Sequence, residues 1–259
     1  SGIEPGIKMN RSEKIPIVND FSGLKNNEKF DVIISNAVLE HIFNLKNFFK
    51  NIKKFLKKNG IIFFCVPDCE KSIKIGDPTI LNHEHVYYFT KESILNTFKK
   101  YNFISKAYND SRGNLFCLAK LNLAKKVFNS NKAHKKNISS NYKKRFDQIL
   151  KKFEIWFNKN RNYEIILYGA TSAITTLFSY INIKKKLFKV NIVDGDISKQ
   201  SKYISGLNKK ILKPDYLKNV NKKRVKIFIF AVYYENEIKK ILRQKYKIKQ
   251  KDIFTLTTF

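Results

Sequence analysis

Residues 30–66 read FDVIISNAVLEHIFNLKNFFKNIKKFLKKNGIIFFCV, and this stretch decides the fold. Phe30 to Ser35 is a near-continuous apolar run, the pattern of a strand buried on both faces of a parallel sheet. Leu45, Phe48, Phe49, Ile52, Phe55 and Leu56 then recur at spacings of three and four with lysines opposite, which predicts an amphipathic helix. Gly60 is placed to close that helix in a left-handed conformation. Ile61 to Val66 reads as the next buried strand, stopped by Pro67-Asp68. Strand, helix, strand implies parallel pairing through a right-handed crossover.

Downstream, a long loop over residues 67–89 carries Asn82-His83-Glu84-His85-Val86-Tyr87-Tyr88-Phe89. Thr90 caps a helix to about Lys100, with Ile94, Leu95 and Phe98 inward. Strands Phe103–Tyr108 and Leu115–Leu121 flank the turn Ser111-Arg112-Gly113-Asn114. Residues 122–140 are rich in Lys, Asn and Ser and read as a linker. Ser139 or Ser140 then caps a helix with Tyr142, Phe146, Ile149, Leu150, Phe153, Trp156 and Phe157 in one stripe. Tyr163–Tyr168 is a strand, and Gly169-Ala170-Thr171-Ser172-Ala173 opens a helix, a layout that brings backbone N–H groups to a phosphate. One glycine is a weak sign of a dinucleotide site. Strands Phe188–Val193, ending at Asp194, Val225–Val232 and Ile253–Leu256 follow, with a helix from about Glu235. Upstream, Ile15–Val18 is a short strand candidate, and Ser1-Gly2-Ile3-Glu4-Pro5 reads as a strand end with an acid at its tip, where an acid can bind ribose hydroxyls. The expected class is α/β, with two Rossmann-like domains: residues 1–121, a linker and connecting helix over 122–160, and residues 161–259.

The 259 residues carry a net charge of +31, which raises nucleic acid as a partner. The lysines, however, recur along the whole chain and form no single arm or stripe. We therefore expect no nucleic acid; an anionic small substrate or surface suits the charge equally. Cys65, Cys69 and Cys117 are odd in number and follow no CxxC spacing, which excludes a disulfide scaffold or zinc cluster and fits a reducing cytoplasm. No apolar run reaches the ~20 residues that span a bilayer, and residues 1–15 lack an apolar leader core.

Two of the four histidines stand at His83 and His85 around Glu84. Neutral imidazole is a natural general base near neutral pH, and a neighbouring carboxylate can orient it. The competing reading is a surface loop with two solvated histidines. An H-x-H metal pair lacks further ligands nearby, so no metal is expected. His41 reads as structural, and His134 as solvated in the linker.

Residues 2–121 resemble the later two thirds of a class I S-adenosylmethionine-dependent methyltransferase, and more narrowly the sugar C-methyltransferases that act on nucleotide-linked deoxysugars. Gly2-Ile3-Glu4-Pro5 matches the family's GIEP, whose Glu binds the cofactor's ribose. Asp20-Phe21 falls where the family places an acid near the adenine, and FDVIISNAVLEHI, with Asn36, matches the strand and turn beneath the methyl donor. Asn82–Phe89 matches the family's YHEH-x-x-YF. The resemblance implies His85 as the base that deprotonates a sugar carbon beside a ketone, with Glu84 and His83 assisting. Residues 168–170 (YGA), Asp194, Lys199-Gln200, Gly206 and Ala231–Ile238 resemble the same family's C-terminal domain, which helps enclose the sugar nucleotide. The substrate-binding set implied is Asn82, Tyr88, Asn114, Tyr168 and Lys199, and the partner a nucleotide-sugar.

The sequence departs from the family at several positions. Asn82 stands for the motif Tyr, Ala173 for a basic residue, and Ser205 for the Pro before Gly206; the hairpin's Arg is replaced within Arg112–Phe116. The family's Gly-rich loop and Cys-rich zinc module do not appear. Three readings stay open: C-methylation of a keto-sugar, O-methylation of a sugar-type acceptor, and a non-catalytic remnant or fragment with an incomplete donor pocket.

Overall fold

The computed structural model describes residues 2–3, 17–18, 20–82, 84–124, 138–181, 190–204 and 206–258. Two compact units emerge: the first from Ser1–Pro67, Phe89–Asn109 and Leu115–Lys132, the second from Asp68–Tyr88, Asp110–Asn114 and Ala133–Phe259. Glu4, His83, His134 and Ser205 lie outside the described residues, as does most of the expected linker.

The first unit opens with β1 (Gly2–Ile3) paired in parallel with β2 (Ile17–Val18). Strand β3 (Phe30–Asn36) leads to helix α1 (Leu45–Phe55) and strand β4 (Leu56–Pro67), and β3 and β4 are parallel. Asn44 caps α1 by accepting from the Asn47 N–H at 3.0 Å. The helical spacing buries Leu45, Phe48, Phe49, Ile52 and Phe55 on one side. Helix α2 (Glu70–Ile75) belongs to the second unit. Helix α3 (Lys91–Lys100) starts at the expected Thr90, which forms a reciprocal capping box with Ser93. Strands β5 (Phe103–Asn109) and β6 (Asn114–Leu121) pair as the expected antiparallel hairpin, and the sheet order is β3-β4-β6-β5.

Two expectations are corrected here. Gly60 caps nothing: α1 ends at Phe55, and Gly60 lies inside β4, where the register with β3 is interrupted between Phe30↔Leu56 and Val32↔Ile61. A Cβ there would stand 2.7 Å from Leu56 Cδ1 and 3.0 Å from the Asp31 carbonyl oxygen, so close approach is what needs glycine. Nor is β3 buried on both faces. Val32 is 48% exposed and Ile34 70%, and Ile61 and Leu118 are also exposed. The opposite face is sealed by Phe49 of α1 and Phe98 of α3 packing on Phe64 of β4, with the three rings 5.1–6.4 Å apart. A sheet reads as apolar throughout only where helices cover both faces, and among the described residues one face of this sheet carries that layer.

The chain turns sharply after β3. Ala37 has φ +51°, and its N–H donates to the Cys65 carbonyl at 2.8 Å. Glu40, in a short 3-10 turn, is 1% exposed, and burial pushes its carboxyl above the usual range.

The second unit is doubly wound. Helix α4 (Ile138–Lys159) begins upstream of the serines expected to cap it. Strand β7 (Glu164–Tyr168), helix α5 (Ser172–Tyr180), strands β8 (Val190–Val193), β9 (Tyr203–Ile204), β10 (Lys209–Leu212) and β11 (Val225–Ile229), helix α6 (Glu235–Gln244) and strand β12 (Ile253–Thr255) follow. The sheet order is β12-β11-β7-β8-β10-β9, parallel except for β9 against β10. Strands β9 and β10 were not expected. On one face α4 and α5 pack Phe153, Phe157, Leu177 and Phe178 over Phe228 and Phe230; on the other, Ile238, Leu242 and Tyr246 cover Ile166, Ile227 and Ile229. Among the described residues no helix is long and apolar enough to cross a membrane.

Phe153 is 0% exposed and its ring meets those of Trp156, Phe178, Phe228 and Phe230 at 5.0–5.9 Å. Phe153→Ala should cost about 3–5 kcal/mol of this unit's stability, read in chemical denaturation by fluorescence of Trp156, the chain's single tryptophan. Glu40 supplies a pH signature. A carboxyl whose pKa is raised on folding gives its stabilisation in full below the unfolded value and loses it as pH rises through the folded one. Glu40→Gln should therefore gain on the parent protein as pH goes from about 4 to about 8. Denaturation curves across that range check this, and a constant difference would contradict it.

Candidate functional site

The carboxyl ends of the parallel strands are where α/β folds hold ligands. At that end of β3, Ser35 Oγ and Glu40 Oε2 are buried and have no hydrogen-bond partner among the described residues. Orphaned buried polar atoms are rare, and Ala37 between them occupies a conformation strained for a side-chain-bearing residue. Neither Ser35 nor Glu40 was singled out from sequence; each sits in an ordinary apolar run, and only burial without a partner marks it. His41 Nε2 stands 3.9 Å from Glu40 Oε1.

The described residues expected to hold a cofactor, Gly2, Asp20, Phe21 and Asn36, belong to this unit. Gly2 is paired with Ile17, and Asn36 is exposed at the end of β3. The Asp20 carboxylate accepts from the Ser22 N–H at 2.7 Å and from its hydroxyl at 2.5 Å, and these bonds hold its carboxyl below the usual range. Phe21 stacks on Phe55 at 6.0 Å and meets Phe48 edge-on at 5.9 Å, so its ring is part of the aromatic core.

The segment bearing the histidine motif is built into the second unit. Gly76 ends α2 in the left-handed conformation at φ +72°, and a Cβ there would collide with the α4 backbone at Arg145, 2.6 Å away. Asp77, 0% exposed, accepts from the Ser72 hydroxyl at 3.0 Å and the Thr79 N–H at 2.8 Å; its own carbonyl accepts from the Tyr142 hydroxyl at 3.1 Å. Burial raises its carboxyl above the usual range. Asn82 then organises the motif. Its side-chain oxygen accepts from the Glu84 N–H at 3.1 Å, and its carbonyl accepts from the His85 N–H at 3.1 Å and the Tyr88 hydroxyl at 3.3 Å. His85 is half-buried, its ring 6.1 Å from that of Tyr88. The structure thus brings Asn82, Glu84, His85 and Tyr88 together.

Tyr168 and Lys199 meet in a cleft of about 640 Å³ at the carboxyl ends of β7, β8 and β11, lined also by Thr79, Asp194, Tyr233 and Glu237. Burial pushes the Tyr168 phenol up to about 12. Asp194 accepts from the Ala170 N–H at 2.7 Å and the Asp196 N–H at 2.8 Å, and Lys199 Nζ stands 3.5 Å from it. The small-residue turn after β7 therefore offers its Ala170 N–H to a carboxylate, and a phosphate there would face Asp194. This corrects the phosphate-turn layout read from sequence. Asn114 lies apart from the cleft's lining, donating to Asp110 at 2.9 Å within its turn.

With this geometry in hand, two family models match. A model described as a methyltransferase domain covers residues 2–104, and one described as a C-methyltransferase C-terminal domain covers residues 124–256. A ubiquinone biosynthesis O-methyltransferase of Pelagibacter ubique (strain HTCC1062) is 36% identical over 63 residues, 24% of this chain and 25% of that protein. Among solved structures, an S-adenosylmethionine-dependent methyltransferase from Clostridium acetobutylicum ATCC 824 is 16% identical over 40% of this chain and 64% of that one, with a TM-score of 0.31. A complex of DhpI with SAH is 8% identical over 41% of this chain and 54% of that one, at 0.33. Superpositions at such scores decide nothing further, and the chain spans only a quarter of the curated relative it matches. The C-terminal model alone takes in more than half of the residues, and the chain belongs to the C-methyltransferase family it describes, with a methyltransferase domain preceding it.

Proposed function

We propose that this chain acts as an S-adenosylmethionine-dependent C-methyltransferase on a nucleotide-linked keto-sugar, with His85 as the base. The observation that carries the reading is the order of the two family matches in one chain. Gly2, Glu4, Asp20, Phe21 and Asn36 would hold the cofactor. The orphaned Ser35 and Glu40 atoms beside strained Ala37 fit a polar ligand at that end of β3. S-Adenosylmethionine supplies there a methyl group made electrophilic by its sulfonium.

The chain's own residues do the remaining work. Methylating carbon needs a carbon nucleophile, and His85 provides it by taking the proton beside the acceptor's ketone. Glu84, next to it, steadies the imidazolium that forms, and His83 completes the run. The electron pair left on carbon would be the nucleophile that a bound methyl donor alkylates, the donor's sulfur keeping the electrons of the methyl–sulfur bond, and solvent would then take the proton from His85. Reacting atoms must be held about 3–3.5 Å apart, so positioning supplies much of the rate. Asn82, Tyr88, Tyr168 and Lys199 would orient the acceptor, while Asn114, tied to Asp110, would act only through the shape of its turn. The cleft's tyrosine faces suit the C–H faces of a sugar ring, and its carboxylates accept from hydroxyls.

A second reading has one observation in its favour: the 36% identical stretch comes from an O-methyltransferase. Transfer to a hydroxyl needs no carbanion, and this separates the two. Incubated in heavy water with keto-sugar acceptor, the parent should exchange deuterium into the carbon beside the ketone. His85→Ala should abolish exchange and turnover while binding S-adenosylmethionine in calorimetry as the parent does. Turnover without exchange would favour the hydroxyl reading. Exchange at the parental rate in His85→Ala would refute the base.

A further inference from the structure

Tyr233 stands in the short turn between β11 and α6 and lines the cleft. Its hydroxyl donates to the Asp68 carbonyl at 2.7 Å and lies 3.4 Å from the Ser72 hydroxyl, which in turn donates to the buried Asp77. Its ring fills the space over Gly113, where an added Cβ would stand 2.5 Å from ring atom Cζ. Gly113 is itself tied back, its carbonyl accepting from the Asp68 N–H at 2.8 Å. Lys71 Nζ lies 5.3 Å from the ring centre. One side chain thus touches the start of the histidine-bearing segment, the turn that ends in Asn114, and the cleft. The segment it grips comes back to the cleft at Thr79, whose N–H donates to Asp77 and whose carbonyl accepts from the Ser172 hydroxyl at 3.2 Å.

We propose that Tyr233 is a positioning residue, which fixes segment 68–88 against the wall of the cleft so that His85 is set for the acceptor lodged there. This rests on the function proposed above. A phenol bonded to a backbone carbonyl, beside a buried hydroxyl–carboxylate pair, has one stable placement, because breaking it leaves buried polar groups unpaired. Two residues, Ile80 and Leu81, separate Thr79 from Asn82, and Asn82 holds the backbone of Glu84 and His85 directly. The hydrogen bonds of Ser72 and Thr79 to Asp77, and of Asn82 to Glu84 and His85, are the route by which the Tyr233 contact would bear on the base.

Tyr233→Phe keeps the ring over Gly113 and removes only the hydroxyl. It should fold as the parent does, with the same Trp156 emission. Turnover should fall on the order of tenfold with KM for S-adenosylmethionine unchanged, since small misplacements of a reacting group are costly in rate. Deuterium exchange into the acceptor should fall by the same factor, a readout that a merely structural role would leave alone. Ser72→Ala, which opens the same network from its other side, should show the same pattern at about threefold. Parental turnover and exchange in Tyr233→Phe, beside a dead His85→Ala, would overturn the role of Tyr233 and leave the base standing. Parental exchange in His85→Ala would overturn both.

Discussion

A carboxylate without access to water constrains this molecule more than any other single group. Burying a charge costs several kcal/mol unless hydrogen bonds replace its hydration. Asp77 is fully enclosed, so the chain before and after it must close around it, and it does so with the Ser72 hydroxyl and the Thr79 N–H. Gly76 makes the closure possible, since a side chain there would strike α4. Once α2, Asp77 and the 78–80 turn are fixed, the next residues have little freedom. Asn82 removes what is left by accepting from Glu84, His85 and Tyr88. A motif that reads as a loose polar loop is in this way tied to a dry anchor five residues upstream.

The two sheets show what coverage does to similar sequence. FDVIIS and VKIFI are both apolar at nearly every position. The second lies in a sheet with helices on each face and is buried along most of its length, and Phe228 meets the Phe153 and Trp156 rings of α4 edge-on. The first has α1 and α3 on one side, and Val32 and Ile34 are exposed on the other. Composition alone cannot tell these apart, because strand pattern records what a face prefers and neighbours decide what it receives.

Periodicity made the order of strands and helices legible, and the Thr90 cap and the 103–121 hairpin fell where turn and capping chemistry place them. What failed was single-residue reasoning. Gly60 looked like a helix cap because glycine serves both left-handed turns and close backbone approaches, and the sequence does not say which is required. Strand β9 is two residues long and β10 begins with two lysines, so neither has an apolar run to announce it. Within the candidate site, Tyr168 and Lys199 proved neighbours, and Asn82, His85 and Tyr88 form one local arrangement. Asp77, Ser35 and Glu40 left no trace in the sequence, since each matters through burial and the presence or absence of a partner, which are properties of the packed state.

Charge illustrates the same distinction at the scale of the molecule. A net +31 draws anions toward the surface from a distance and speeds their arrival. The cleft in the second unit runs against that field: its lining sets Asp194, Asp196 and Glu237 against one cation, Lys199, already 3.5 Å from Asp194 and 4.0 Å from Asp196. A phosphate entering would have to displace the Ala170 N–H from Asp194 or sit beside an unneutralised carboxylate. Under the proposed function a hydroxylated ring would meet no such obstacle, because carboxylates accept from hydroxyls and tyrosine rings can cover apolar faces. The total charge therefore describes how an acceptor would be gathered, and the lining describes which part of it can be held.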